Sequence, residues 1–221
     1  MIKINIGCFN YPVDGWINID KTPHALIAKY PIIINILYRI GILTKERYEE
    51  HKAGEFKNVK WCNVTKGLPY QDNFADFIYS SHMIEHLYYE EAAEFLKECR
   101  RVLKDGGILR IVCPDMFKIA KNYAGNLKET GNDNNQIVQQ DAKKSDPDIS
   151  IKFARSFYEM EKRRALKYGH RWMYDFLSLK SALLKSGFRE VSEKEFKTGV
   201  TPDLEKSEIR SEDSLYVEAK K

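Results

Sequence analysis

The chain has 221 residues, enough for one domain with a sizeable core and too few for two enzyme domains of ordinary size. Its 36 basic and 32 acidic side chains leave a net charge of +4, far short of the footprint of a dedicated nucleic-acid binder, so no nucleic-acid partner is expected. Cys8, Cys62, Cys99 and Cys113 lie in apolar contexts without a CxxC pair, and no secretory signal stands at Met1-Ile2-Lys3. Both features point to a cytoplasmic protein with buried thiols.

The first element is a strand, Ile2 to Ile6, followed by Gly7-Cys8-Phe9-Asn10 and a second strand, Trp16 to Asp20. Gly7 and Trp16 stand nine positions apart, too close for a full crossover helix, so the first helix is very short or absent. Residues 21–58 form a helical insertion that opens with an apolar stretch, Ala25 to Leu43. Lys29, Pro31, Asn35, Arg39 and Gly41 interrupt that stretch, which excludes a spanning helix. Ile33, Leu37, Ile40 and Leu43 lie close to one helical face, which favours core or lid packing, with a homodimer contact through 25–43 or a membrane surface as the other uses. Thr44-Lys45-Glu46 starts a charged helix, and Val59 to Val64 is a third strand.

Leu68 to Asp115 carries the strongest pattern, a parallel βαβ unit. Phe77 to Tyr79 is an apolar run; Ala92, Phe95, Leu96, Cys99, Val102 and Leu103 recur at helical spacing; Lys104-Asp105-Gly106-Gly107 stops the helix; Ile108 to Val112 is a β-branched strand. Its two strands present Ser80-Ser81-His82 and Pro114-Asp115 at their carboxyl ends, the edge where open α/β sheets bind ligands. Residues 118–174 form a second insertion, a lid or substrate segment: Gly125 to Pro147 is a polar loop, and Ile151 to Tyr168 a helix within a basic run. Leu177 to Leu184 is a helix closed by Gly187. Glu190 to Phe196 and Ser214 to Ala219 form a terminal antiparallel pair joined by a long polar loop.

Three places can carry chemistry. Gly7 lets a backbone turn approach a ligand, and Asp20 can bind the two hydroxyls of a ribose. The three-glycine phosphate turn is missing, which disfavours a nicotinamide or flavin dinucleotide. On a helix starting near His82, the residues His82, Glu85 and His86 converge, as an acid-base group, a divalent metal set or a structural cap. In Tyr168 to Asp175, the aromatic residues between His170, Arg171 and Asp175 suit a polar pocket wall, with Arg171, Trp172 and Tyr174 as substrate contacts and His170 as a competing base.

Ile4-Asn5-Ile6-Gly7-Cys8, Gly15 to Asp20, Leu68 to Tyr79 and Arg101 to Gly107, in this order and spacing, resemble the class I S-adenosylmethionine-dependent methyltransferases. The resemblance is to the type 11 group and, within it, to small proteins associated with surface-polysaccharide gene clusters, and it covers nearly the whole chain. It implies one methyltransferase domain over residues 1–221, with a Rossmann-like, mostly parallel sheet, an antiparallel C-terminal strand and helices on both faces. It implies S-adenosylmethionine as cofactor, with Gly7 and Cys8 under its methionine part, Asp20 on its ribose, Asn63 and Val64 at its adenine, and Ser80 beside the methionine moiety. Enzymes of this group mostly use no metal. Phe9 stands where the family has a glycine and either crowds the cofactor pocket or stacks along it.

The expected activity is O-methylation of a small-molecule or glycan acceptor, with His86, His82 or His170 as base and Asp115 orienting it. The alternative is a non-catalytic module that keeps the fold with an altered cofactor motif. A dinucleotide oxidoreductase and a nucleic-acid methyltransferase are disfavoured, the latter because no Asn-Pro-Pro-Tyr-like clamp follows the fourth strand.

Overall fold

The computed structural model describes residues 1–121, 170–209 and 214–221. The polar loop 125–147 and the helix 151–168 expected from the sequence lie outside these. Seven strands form one sheet in the order β3-β2-β1-β4-β5-β7-β6. They are β1 (Lys3–Ile6), β2 (Ile17–Asp20), β3 (Val59–Trp61), β4 (Ala75–Ser81), β5 (Leu103–Pro114), β6 (Arg189–Lys194) and β7 (Ser214–Lys220). Strands β1 to β5 pair in parallel, and β7 runs antiparallel to both β5 and β6, as the resemblance implies; the β4–β5 crossover and the β6–β7 pair are also those the sequence pattern predicts. The third strand stops at Trp61; Asn63 caps a 3-10 turn over Val64–Lys66 instead of extending it.

Strand alternation sorts the sheet into two faces. Ile4, Ile6, Ile78, Leu109 and Ile111 point to one face and are buried beneath α4 (Tyr89–Val102) and α5 (Phe176–Lys185), through Phe95, Leu96, Cys99, Leu179 and Leu183. Arg101, in the helix-end motif, explains why residues 68–72 sit where they do. Its guanidinium donates to both oxygens of Glu98, to Asp72 Oδ1 and to the carbonyls of Leu68 and Tyr70. Gly107 is a glycine because a Cβ there would lie 2.9 Å from the Lys104 carbonyl and 3.1 Å from that of Asp76.

The opposite face has an unusual cover. No helix joins β1 to β2; residues 7–16 are held down by side chains instead. Asn5 and Asn18 face each other in register, with Asn5 Nδ2 donating to Asn18 Oδ1 at 3.0 Å. Asn18 in turn bonds the Val13 amide and the carbonyls of Val13 and Trp16. Helix α1 (His24–Ile27) covers the edge of this face, with Ala25 against Cys8 and Val59. The rest is covered by the β6–β7 loop, which contains α6 (Leu204–Ser207). Tyr79 Oη donates to the Ser207 carbonyl, and Asp203 accepts from Lys3 Nζ at 2.6 Å and Trp16 Nε1 at 3.0 Å.

Those two donors hold the Asp203 carboxyl below its ordinary range. Its stabilisation is therefore fully present above about pH 3.8 and lost as pH falls through the depressed value. Asp203→Asn is expected to cost about 1.5 kcal/mol at pH 7, the low end for a hydrogen bond to a charged group because the carboxylate is partly exposed. Denaturant unfolding should show the gap to wild type narrowing as pH falls below 3.8; a gap constant with pH would refute this role.

The segment between β2 and β3 also contains α2 (Pro31–Arg39) and α3 (Lys45–Ala53), the latter capped by Thr44 Oγ1 accepting from the Arg47 amide. The expectation that one face of 25–43 packs on the core requires correction. Leu43 is buried and so is Ile34, but Ile33 and Ile40 are exposed, with Ile32 at 74% and Ile40 at 62%. The nine-residue α2 is apolar nearly all round, so periodicity cannot choose its buried side. No helix among the described residues is long and apolar enough to cross a membrane.

Candidate functional site

The carboxyl ends of β1 and β4 frame a cavity of about 210 Å³. The β1 turn contributes Gly7, Cys8 and Phe9 to its wall. Strand β4 and the turn after it contribute Tyr79, Ser81, His82, Glu85 and His86; His170 and Ser207 close it. The four buried thiols are free, as the sequence suggested, and burial pushes the Cys8 and Cys113 thiols far up, which makes them poor nucleophiles.

The β1 turn is built around Asp20. Gly7 is left-handed at φ 76°, and its amide donates to the Ile19 carbonyl. Phe9 is also left-handed, and its amide donates to Asp20 Oδ2 at 2.9 Å, while Oδ1 accepts from the Thr22 amide at 2.6 Å. Burial pushes the Asp20 carboxyl up against the pull of the Phe9, Thr22 and Lys21 amides. The Phe9 ring packs edge-on against Phe56 and His24, with the Arg47 guanidinium 4.8 Å above it. The insertion thus fixes the turn through an aromatic group that also includes His51, whose Nε2 lies 3.0 Å from His24 Nδ1. His24, His51 and Arg47 formed no part of the sequence argument, because nothing in their spacing links them to Phe9. A Cβ on Gly7 would meet the Met83 side chain at 2.6 Å, so Met83 closes the turn from the β4 side.

The segment after β4 is not the helix expected to start near His82. His82 is left-handed (φ 49°) with its amide on the Val112 carbonyl; a 3-10 turn over Ile84–His86 follows, and α4 starts only at Tyr89. The helical i, i+3, i+4 convergence of His82, Glu85 and His86 is therefore replaced by a different grouping. Glu85 is 1% exposed, and neither of its carboxylate oxygens has a hydrogen-bond partner among the described residues. His82 Nδ1 stands 3.4 Å from Glu85 Oε1, and His82 Nε2 is 3.3 Å from Ser214 Oγ. The Glu85 carbonyl accepts from the Arg171 and Trp172 amides, which brings His170 against His86 with ring centroids 5.2 Å apart.

Of the other residues singled out by sequence, Ser80 is buried on the α4 face, and Ser81 lines the cavity instead. Asn63 Oδ1 accepts from the Thr65 amide and hydroxyl, and Val64 packs against the core beside it. Asp115 Oδ1 accepts from the Phe117 and Lys118 amides, so it caps the helical segment 116–121. The substrate-wall expectation is corrected for two residues: Trp172 and Tyr174 are buried in the core, Trp172 against Tyr89 and Tyr174 bridged to Asp115 through the backbone. Arg171 lies 4.3 Å over the Tyr88 ring. Among the described residues of that motif, His170 is the one that reaches the cavity.

Comparison with known proteins gives the same architecture. Residues 40–111 match the Methyltransf_11 family model, described as a methyltransferase domain. Among solved structures, the S-adenosylmethionine-dependent methyltransferase SibL in its apo form aligns with 99% of this chain and 50% of its own, at 12% identity and TM-score 0.50. A SAM-dependent methyltransferase from Thermotoga maritima aligns with 100% of this chain and 82% of its own (15% identity, TM-score 0.49). One from Archaeoglobus fulgidus aligns with 99% and 85% (17% identity, TM-score 0.47). No curated protein matches in sequence. The matched span holds β3, β4, α4 and most of β5 and stops short of the Gly7–Asp20 turn.

Proposed function

We propose that this chain is a class I S-adenosylmethionine-dependent methyltransferase that transfers a methyl group to a hydroxyl of a small polar acceptor of the sugar or glycan-intermediate class. The observation that carries the reading is the cavity itself, in which three imidazoles and a buried carboxylate face the β1 turn across the strand ends. The residues present fit the cofactor in two respects. The turn offers backbone at Gly7 and Cys8, and the Asp20 carboxylate, with about four lone-pair sites, keeps acceptor capacity beyond the Phe9, Thr22 and Lys21 amides. Asn63 and Val64, just beyond β3, would border the adenine. When bound, S-adenosylmethionine supplies an electrophilic methyl carbon, which takes a lone pair of the acceptor oxygen as the carbon–sulfur bond breaks.

The chain's own residues supply alignment and a place for the proton. Orientation of the two reactants is the larger part of catalysis in such a displacement. A sugar hydroxyl is weakly acidic, so an imidazole within reach takes its proton as the new bond forms. His82, His86 and His170 all line the cavity, while Asp115 fixes the start of the segment that leaves β5. Tyr11, also in the wall and exposed, offers an aromatic surface on which a sugar ring would stack.

Incubation with methyl-labelled S-adenosylmethionine and a panel of nucleotide sugars and free glycosides should yield labelled product and S-adenosylhomocysteine. Single-turnover rates are expected to fall by about 10²–10⁴ for the histidine that serves as base. If all three single His→Ala variants retain the wild-type chemical step, the base assignment fails. If calorimetry detects no S-adenosylmethionine binding, the chain is a binding module on this fold.

A further inference from the structure

Glu85, His86 and His170 each offer one ligand atom, a carboxylate oxygen or an imidazole nitrogen, and the three atoms lie within 4.8 Å of one another. Ligands about 2.1 Å from a common tetrahedral centre are about 3.4 Å apart, so rotations of roughly an ångström close this set around a cation. Glu85 is the informative member. Burying a carboxylate without hydrogen bonds costs several kcal/mol, about what isolated ions lose on leaving water. Here both oxygens lack hydrogen bonds among the described residues, and His82 Nδ1 lies 3.4 Å from Oε1.

The backbone holds this arrangement in place. Arg171 and Trp172 donate to the Glu85 carbonyl at 2.7 and 3.1 Å, fixing His170 beside the turn that carries His86. We infer that Glu85, His86 and His170 form a site for one divalent transition-metal cation, of the zinc class, open toward the cavity. Two imidazoles with one carboxylate are the donor set of open zinc and non-haem iron sites, whereas magnesium and calcium prefer oxygen alone.

The three ligands all line the cavity opposite Gly7 and Cys8, so a remaining coordination position faces the space where the acceptor would lie. Binding of the cation stands independently of the proposed methyl transfer; its use rests on that reading. A hydroxyl coordinated there would be oriented and made more acidic.

The test uses the whole chain, stripped with chelator and titrated with Co²⁺ alone, read by visible absorption, and with Zn²⁺ by competition against a chromophoric chelator. One equivalent should bind wild type. Glu85→Gln, His86→Gln and His170→Ala should each weaken binding by about 100-fold or more, the scale of losing a metal-site partner. His51→Gln, which disrupts the separate His24–His51 pair, should bind as wild type. Zinc should raise the melting temperature of wild type and not of the three ligand variants, a readout that survives weakened folding in any one of them. No Co²⁺ binding by wild type, Glu85→Gln binding equal to wild type, or loss confined to His51→Gln would each overturn the site. S-adenosylmethionine calorimetry on the same samples separates failure of the metal site from failure of the methyltransferase reading.

Discussion

Asp20→Ala is expected to weaken S-adenosylmethionine binding by about 100-fold or more, because two hydrogen bonds to a charged acceptor are each worth about 1.5–3 kcal/mol. The carboxylate serves two purposes at once. Its Oδ2 and Oδ1 already accept the Phe9 and Thr22 amides and so set the shape of the turn; the remaining acceptor capacity is what a ribose diol would use. Asp20→Asn tests the same point more gently, since its one amide oxygen cannot accept from both backbone donors and serve the diol as well. Because burial pushes the Asp20 carboxyl above its ordinary 3.8, affinity should begin to fall at a higher pH than an exposed aspartate would dictate. Calorimetry at pH 7.5 and at stepwise lower pH reads both effects. Wild-type affinity in Asp20→Ala would remove Asp20 from the cofactor site.

The parts of the fold legible in the sequence are those whose physics is local. Helical spacing from Ala92 to Val102 and the β-branched run Ile108–Val112 were sufficient to predict α4 and β5, because each buries one face on near neighbours. Counting residues between Gly7 and Trp16 excluded a crossover helix. What replaces that helix was not legible. Asn5 and Asn18 look like any strand polar residues until the register places them opposite each other, and Asp203 meets Lys3 across nearly the full chain.

The candidate site shows the same division. Gly7, Asp20 and the His82–His86 group were readable as chemistry-bearing types at strand ends. Their geometry was not, because His82 takes a left-handed backbone that no periodicity announces, and the 3-10 turn redirects His86 toward His170. Trp172 and Tyr174 suit a pocket wall and a core equally well by type; the backbone bridge from Tyr174 to Asp115 decides for the core. The exposed apolar residues of α2 have no partner written into their spacing either, since Ile32, Ile33, Ile34 and Ile36 differ only in where the rest of the fold happens to lie.

Arg110→Leu should produce the largest loss of stability, about 3–5 kcal/mol, the cost of breaking a buried ion pair by removing one partner. Arg110 is fully buried in β5, on the face covered by the β6–β7 loop. Its Nε donates to Glu208 Oε1 at 2.7 Å, its Nη1 to the Thr198 carbonyl at 2.7 Å and its Nη2 to the Glu195 carbonyl at 3.2 Å. Glu218, 3.6 Å from Nη1, is itself held by Val200, Thr201 and its hydroxyl. Leucine would fill part of the volume but leave two buried carboxylates and two carbonyls without their cation.

For a chain of this size the loss corresponds to a melting temperature lower by about 10 °C. Burial already pushes the Glu208 carboxyl above its ordinary 4.5, and only Arg110 and the Lys197 amide pull it back. Without the guanidinium it rises further. The stability deficit of Arg110→Leu should therefore be greatest near neutral pH and shrink as acid neutralises Glu208, with Glu208→Leu added to Arg110→Leu recovering much of it. The same loop places Ser207 in the cavity wall through the Tyr79 hydroxyl, so the variant should also bind S-adenosylmethionine more weakly than its melting temperature alone predicts. Unfolding within about 1 kcal/mol of wild type would show that the loop is held by its apolar contacts, Phe196 on Tyr216 foremost, and not by the buried charges.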